Sequence, residues 1–73
     1  MLLSELKIGE TVTIKNMMKL DKSFRDRLMD IGIYEDAIIT LVNTMTFGKM
    51  LIVEVDDVEI CIRKTDAERI DVI

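Results

Sequence analysis

The residues that could do chemistry in this chain are few, and the gaps among them narrow its function. There is no histidine, so the commonest general base and the commonest metal ligand are both absent. The single cysteine, Cys61, cannot make a zinc site alone. Ser4 and Ser23 have no histidine to activate them. Gly9, Gly32 and Gly48 are too scattered to form a phosphate-cradling loop. The roles that make up an active site are therefore unfilled, and we expect a non-enzymatic protein with no catalytic residue, no resident metal and no cofactor.

Three groups of side chains deserve a binding reading. Glu54, Asp56, Asp57 and Glu59 surround one turn and could offer oxygen ligands to a hard cation. They lack the spacing of a calcium loop, so a solvated acidic turn is the simpler account. Lys19, Lys22, Arg25 and Arg27 are interleaved with Asp21, Asp26 and Asp30, as on the polar side of an amphipathic helix. Arg27 stands apart, because it lies beside the apolar stripe and can rest its stem on it. Met45, Phe47 and Met50 frame a hairpin around Gly48. Either they form an adaptable contact surface or Phe47 folds back onto the body of the domain.

The totals set the scale. The chain has 73 residues, so residues 1–73 are read as one domain. Hydrophobic residues make up 49%, enough for one core. The net charge of −4 argues against a nucleic-acid partner. A lone cysteine permits no internal disulfide and fits a reduced, cytoplasmic setting. No apolar run is long enough to span a bilayer, and Glu5 interrupts the opening residues, so neither membrane insertion nor a secretory signal is expected.

One short helix and a set of strands must position these groups. Phe24, Leu28 and Ile31 recur at helical spacing and predict one buried face. Ser23 suits the N-cap, with Asp26 as a weak capping-box partner. Gly32 suits the left-handed residue that ends a helix, after which Ile33 can fold back onto Leu28. Leu3, Leu6 and Ile8 are read as anchors of a lead-in, followed by a turn at Gly9 and Glu10. Thr11 to Lys15 alternates strictly, with Val12 and Ile14 on one face. Leu20 should pack inward, whereas Met17 and Met18 cannot both do so.

Ala37 to Met45 is the longest strand candidate. Ile39, Leu41 and Asn43 form one set, and Ile38 and Val42 the other. After the Gly48 hairpin, Met50 to Val55 points Leu51, Val53 and Val55 inward. Asp56 and Asp57 make the next turn. Val58 to Arg63 would then bury Val58, Ile60 and Ile62. Thr65 to Glu68 reads as a capping box, and Ile70 and Val72 close the core. The sum is mainly β: a small, partly open SH3-like β-barrel of about five strands with one short α-helix.

The order of these parts resembles the FeoA family of small proteins of bacterial ferrous iron uptake. The resemblance covers nearly the whole chain. It rests on Leu6, Ile8 and Gly9, on Val12 and Ile14, and above all on the run Arg27, Leu28, Ile31, Gly32, Ile33. Ile38 to Val42, Phe47 and Gly48, Val53 and Val55, and the ending through Ile60, Ile62, Arg63, Ala67, Ile70 and Val72 complete it. The family usually carries a Pro-Gly pair where this chain has Tyr34, Glu35 and Asp36, and its hairpin tends to carry prolines that are absent here.

The resemblance implies a cytoplasmic accessory or regulatory protein of ferrous iron transport that binds the FeoB-type membrane transporter. Exposed strand edges allow a weak dimer, but no long apolar edge demands one, so a monomer or weak dimer is expected. The residues expected to meet that partner are Arg27, Leu28, Phe47 and Met50. A second possibility is a free-standing regulatory domain that binds a divalent transition metal, like the C-terminal barrel of metal-dependent repressors. The absence of histidine counts against tight binding of that kind. A small RNA-binding barrel is a third; the acidic balance and single tyrosine oppose it.

Overall fold

The computed structural model describes residues 1–73. A 3₁₀ turn at Leu3–Glu5 precedes strand β1 (Thr11–Asn16), helix α1 (Lys22–Asp30) and strand β2 (Ile38–Met45). Strands β3 (Met50–Val55) and β4 (Val58–Arg63), the four-residue helix α2 (Lys64–Ala67) and strand β5 (Asp71–Val72) follow. All pairings are antiparallel, in the order β4-β3-β2-β1-β5. The chain's start and end are tied together: Val72 N–H donates to the Met1 carbonyl at 2.8 Å, and Leu3 N–H to the Ile70 carbonyl at 2.9 Å.

Backbone sterics at the turns fix the meander. Asp56 and Asp57 have φ of 51° and 66°, the mirror-image turn whose twist matches a two-residue hairpin. Val55 accordingly faces Val58, and β3 and β4 pair without slippage back to Met50 and Arg63. The other hairpin is tighter in its demands. Thr46, Phe47 and Gly48 all have positive φ, at 56°, 56° and 83°. Only Gly48 adopts that region without a steric penalty.

The core consists of seventeen buried residues, all apolar. Ile14, Ile33, Ile39, Val53, Ile70 and Val72 have no accessible surface. β3 shows the alternation in full, with Leu51, Val53 and Val55 inward. Met17 is buried and Met18 is 65% exposed, which resolves that pair.

Several expected placements are corrected. Ile8 is 59% exposed because it occupies the turn that Glu10 N–H closes onto the Lys7 carbonyl; the turn sits one residue earlier than expected. Val58 is 56% exposed because it begins the edge strand β4, where only its cross-strand partner Val55, itself buried, covers one side of it. Asn43 is exposed: the register slips between Leu41 and Asn43, and this bulge ends the inward set at Leu41. Helix α1 begins at Lys22, with Asp21 rather than Ser23 at the N-cap. Ser23 instead donates its hydroxyl to Asp21 Oδ2 at 2.8 Å. The capping box at Thr65–Glu68 does not form, because α2 starts at Lys64 with Arg63 as its cap.

The helix end behaves as its residues require. Gly32 has φ of 105°; its N–H bonds the Met29 carbonyl at 3.2 Å, and Ile33 N–H bonds the Leu28 carbonyl at 2.8 Å. This is the paired bonding of a Schellman ending. Ile31, the cap residue, is turned out of the helical path and is 52% exposed, so the buried stripe is completed by Ile33 instead. Asp36 takes the left-handed conformation at φ 76°, a conformation that Asp tolerates.

Candidate functional site

Helix α1 approaches the free side of β4, and a groove of about 440 Å³ lies between them. Phe24, Arg27, Leu28 and Ile31 line one wall, at the spacing of a single helical face. Cys61, Ile62 and Arg63 of β4 and Asp66 of α2 line the other. Leu28 and Ile62 are buried and form the floor, whereas Ile31 and Cys61 stand exposed at the rim. The groove is thus apolar below and charged along its lip.

The two arginines at that lip differ in state. Arg63 Nε donates to Asp66 Oδ2 at 2.9 Å, so its charge is already answered. Arg27 is exposed and takes part in none of the three ion pairs, the others being Lys19–Asp71 at 3.6 Å and Lys22–Asp26 at 2.9 Å. It is a free cation over an apolar floor.

A second concavity, of about 600 Å³, adjoins the first at Arg63 and runs towards Thr46, Lys49 and Met50. The four sequence-expected residues therefore do not converge on a point. Arg27 and Leu28 belong to the helix groove, and Met50 to the adjoining concavity. Phe47, at the hairpin tip, lines neither and is 104% exposed. It projects and does not fold back. Leu28 reaches the groove only as its floor, since it is 4% exposed. Sequence reasoning passed over Arg63 and Asp66 as groove residues; their i, i+3 spacing across the start of α2 was the available signal.

A third concavity, lined by Met17, Met18, Arg25, Met29, Tyr34, Glu35 and Asp36, lies among different parts of α1 and its flanking loops. The acidic hairpin gathers no ligand set: nowhere do three His, Cys, Asp or Glu side chains come together as metal ligands would. Asp56 and Asp57 serve the turn, and Glu54 stands opposite Glu59 across the β3–β4 pair. No helix is long and apolar enough to cross a membrane.

A five-stranded antiparallel meander with a helix inserted after the first strand, and a groove where that helix meets the fourth, defines a small SH3-like module. Residues 1–73 match the FeoA domain, and the chain belongs to the FeoA family, which is linked to ferrous iron transport. The FeoA protein from Chlorobium tepidum is similar to it at 29% identity and a TM-score of 0.92, over 99% of this chain and 68% of that one. FeoA from Stenotrophomonas maltophilia, solved as a zinc complex and described as an SH3 domain protein, shares the fold. It matches at 24% identity and a TM-score of 0.82, over 99% of this chain and 88% of that one. The fold also recurs in a manganese-dependent transcriptional repressor, at 22% identity and a TM-score of 0.87. The alignment takes in 100% of this chain and 40% of the repressor. No functionally curated protein matches the chain.

Proposed function

We propose that this protein is a non-enzymatic accessory factor of ferrous iron transport that docks onto a FeoB-type membrane transporter from the cytoplasmic side. The observation that carries this reading is Phe47, an aromatic side chain held clear of the body of the domain by a turn with three consecutive positive φ angles. A fully exposed aromatic is a poor use of a small domain's apolar surface unless a partner covers it. Arg27 supplies a free charge at the lip of the groove, and Met50 an adaptable apolar contact in the adjoining concavity. Leu28 contributes by holding the groove floor.

The test is a titration of this protein against the FeoB-type transporter from the same organism in reducing buffer, with and without nucleotide. Saturable binding that Phe47→Ser and Arg27→Ala each weaken at unchanged thermal stability is the expected result. Absence of binding to the whole transporter and to its cytoplasmic domain would end this assignment.

The zinc complex of the Stenotrophomonas relative and the manganese repressor's fold favour a second reading, a regulatory domain that binds a divalent metal. The side chains here do not assemble three ligands of the usual kinds. Equilibrium dialysis against ferrous iron and manganese separates the readings: micromolar binding supports the second.

A further inference from the structure

The groove beside α1 is bordered by an unpaired strand edge. β4 is the last strand of the sheet, and its backbone alternates between groups that face β3 and groups that face away. The two-residue turn makes Val55 and Val58 a hydrogen-bonded pair, and the Lys64 N–H donates to the Lys49 carbonyl at 2.8 Å in the same phase. The even-numbered residues of β4 therefore bond to β3. The N–H groups of Glu59, Cys61 and Arg63 point away from it, and none of them donates to a group outside the strand. Cys61 and Arg63 lie on the wall of a groove whose floor is apolar and whose lip carries the unpaired Arg27, and Glu59 continues the same edge beyond it.

We propose that this groove takes up an extended, acidic segment of a partner protein by β-strand addition to the free edge of β4. The backbone of the segment would pair with Glu59, Cys61 and Arg63, as edge strands do when they recruit a peptide. Its inward side chains would be apolar and meet Phe24, Leu28 and Ile31. A carboxylate on the segment would pair with Arg27. The sign is selected by the groove lining: Arg63 and Asp66 answer each other, which leaves Arg27 as the one uncompensated charge among the lining residues, although the whole chain carries −4. The inference rests on the partner-binding reading above and specifies the chemistry of what the groove receives, an added strand.

The probe is the blocked peptide acetyl-Val-Glu-Val-Glu-Val-amide, titrated into ¹⁵N-labelled protein, with the peptide carrying lysine in place of glutamate as its counterpart. The amides of Glu59, Cys61 and Arg63 should shift and exchange more slowly with solvent, and the lysine peptide should bind at least about tenfold more weakly. Cys61→Pro deletes an outward N–H and leaves the β3–β4 ladder intact, a substitution that edge strands accept. It should abolish peptide binding without unfolding the domain, whereas Cys61→Ala should retain binding. Arg27→Glu should reverse the preference between the two peptides.

Shifts confined to other surfaces, no shifts at all, or equal binding by Cys61→Pro and Cys61→Ala would overturn the proposal. So would concentration-dependent protection of the β4 edge in the absence of peptide, which would assign the edge to a second copy of the chain. The transporter titration fails separately: peptide binding at β4 with no transporter binding would refute the transporter assignment and leave the groove chemistry standing.

Discussion

Ile33 N–H donates to the carbonyl of Leu28 at 2.8 Å, and both residues are buried, at 0% and 4% exposure. That one bond does three things. It satisfies a helix-end carbonyl, it reverses the chain towards β2, and it sets the Leu28 side chain into the groove floor beside Ile62. Gly32 makes the reversal possible by taking φ of 105°.

Gly32→Ala tests that reversal. A methyl group at Gly32 would stand 4.0 Å from Val55 Cγ1, ordinary contact, so the cost is backbone strain and not collision. The expected loss of stability is about 1–2 kcal/mol, measured by urea unfolding. A loss too small to measure would mean that the helix end does not need this conformation.

Leu28→Ala and Ile31→Ala separate floor from rim. Leu28 is buried and its truncation should cost about 2–5 kcal/mol. Ile31, at 52% exposure, should change stability by no more than about 0.5 kcal/mol. Equal losses in thermal or denaturant unfolding would show that Ile31 belongs to the core after all.

The Asp56–Asp57 turn can be improved. Both residues have positive φ, and Asn followed by Gly is the pair best suited to such a turn. Asp56→Asn combined with Asp57→Gly should raise stability by about 1 kcal/mol and remove two of the carboxylates near Glu54 and Glu59. A lower melting temperature in the double variant would contradict this account of the hairpin.

Glu54 and Glu59 face each other across β3 and β4. Like charges placed directly opposite are unfavourable, so Glu59→Lys should stabilise the domain by roughly 0.2–1 kcal/mol. The gain should shrink as salt is added, because both positions are reached by solvent. A gain that persists in concentrated salt would point to packing instead.

Asp21 carries a pH prediction. The Ser23 hydroxyl bond holds its carboxyl below the ordinary value of 3.8; a smaller desolvation effect opposes this, and the nearby amides of Phe24 and Ser23 and the charge of Arg25 add to the lowering. A carboxyl whose pKa is lower folded than unfolded contributes stability above its unfolded pKa, and that contribution is lost as pH falls through the folded value. Ser23→Ala should move the Asp21 titration, followed by carboxyl-carbon NMR, back towards 3.8. A titration unmoved by the substitution would assign the shift to another cause.

The strands were legible where burial alternates. β3 could be read residue by residue, since period-two patterning allows one register with a dry face, whereas in β1 Thr13 is half-buried like Val12. The helix end was legible too, because only glycine takes the required φ cheaply. The caps were not. Ser23 and Asp21 are both competent N-caps two residues apart, and the backbone path out of Leu20 selected Asp21. Ile8 and Ile31 are apolar residues that turn geometry places outside the core, and Val58 is left exposed on the edge strand, neither of which local sequence reveals.

The order of parts in the sequence carried the resemblance to the FeoA family, which the match over residues 1–73 bears out. The amino-acid sequence by itself determined a small β domain with one glycine-stopped helix and no imidazole. Those properties follow from local rules: alternation, left-handed glycine and the absence of histidine. The groove was decided by tertiary structure. Arg27 and Leu28 lie far in sequence from Cys61, Ile62 and Arg63, and they become neighbours only when the meander brings the edge of β4 to the side of α1. The same folding paired Arg63 with Asp66 and left Arg27 without an ion-pair partner. The Arg63–Asp66 pair is local in sequence, but that Arg27 finds no partner depends on where the distant acidic side chains end up in space.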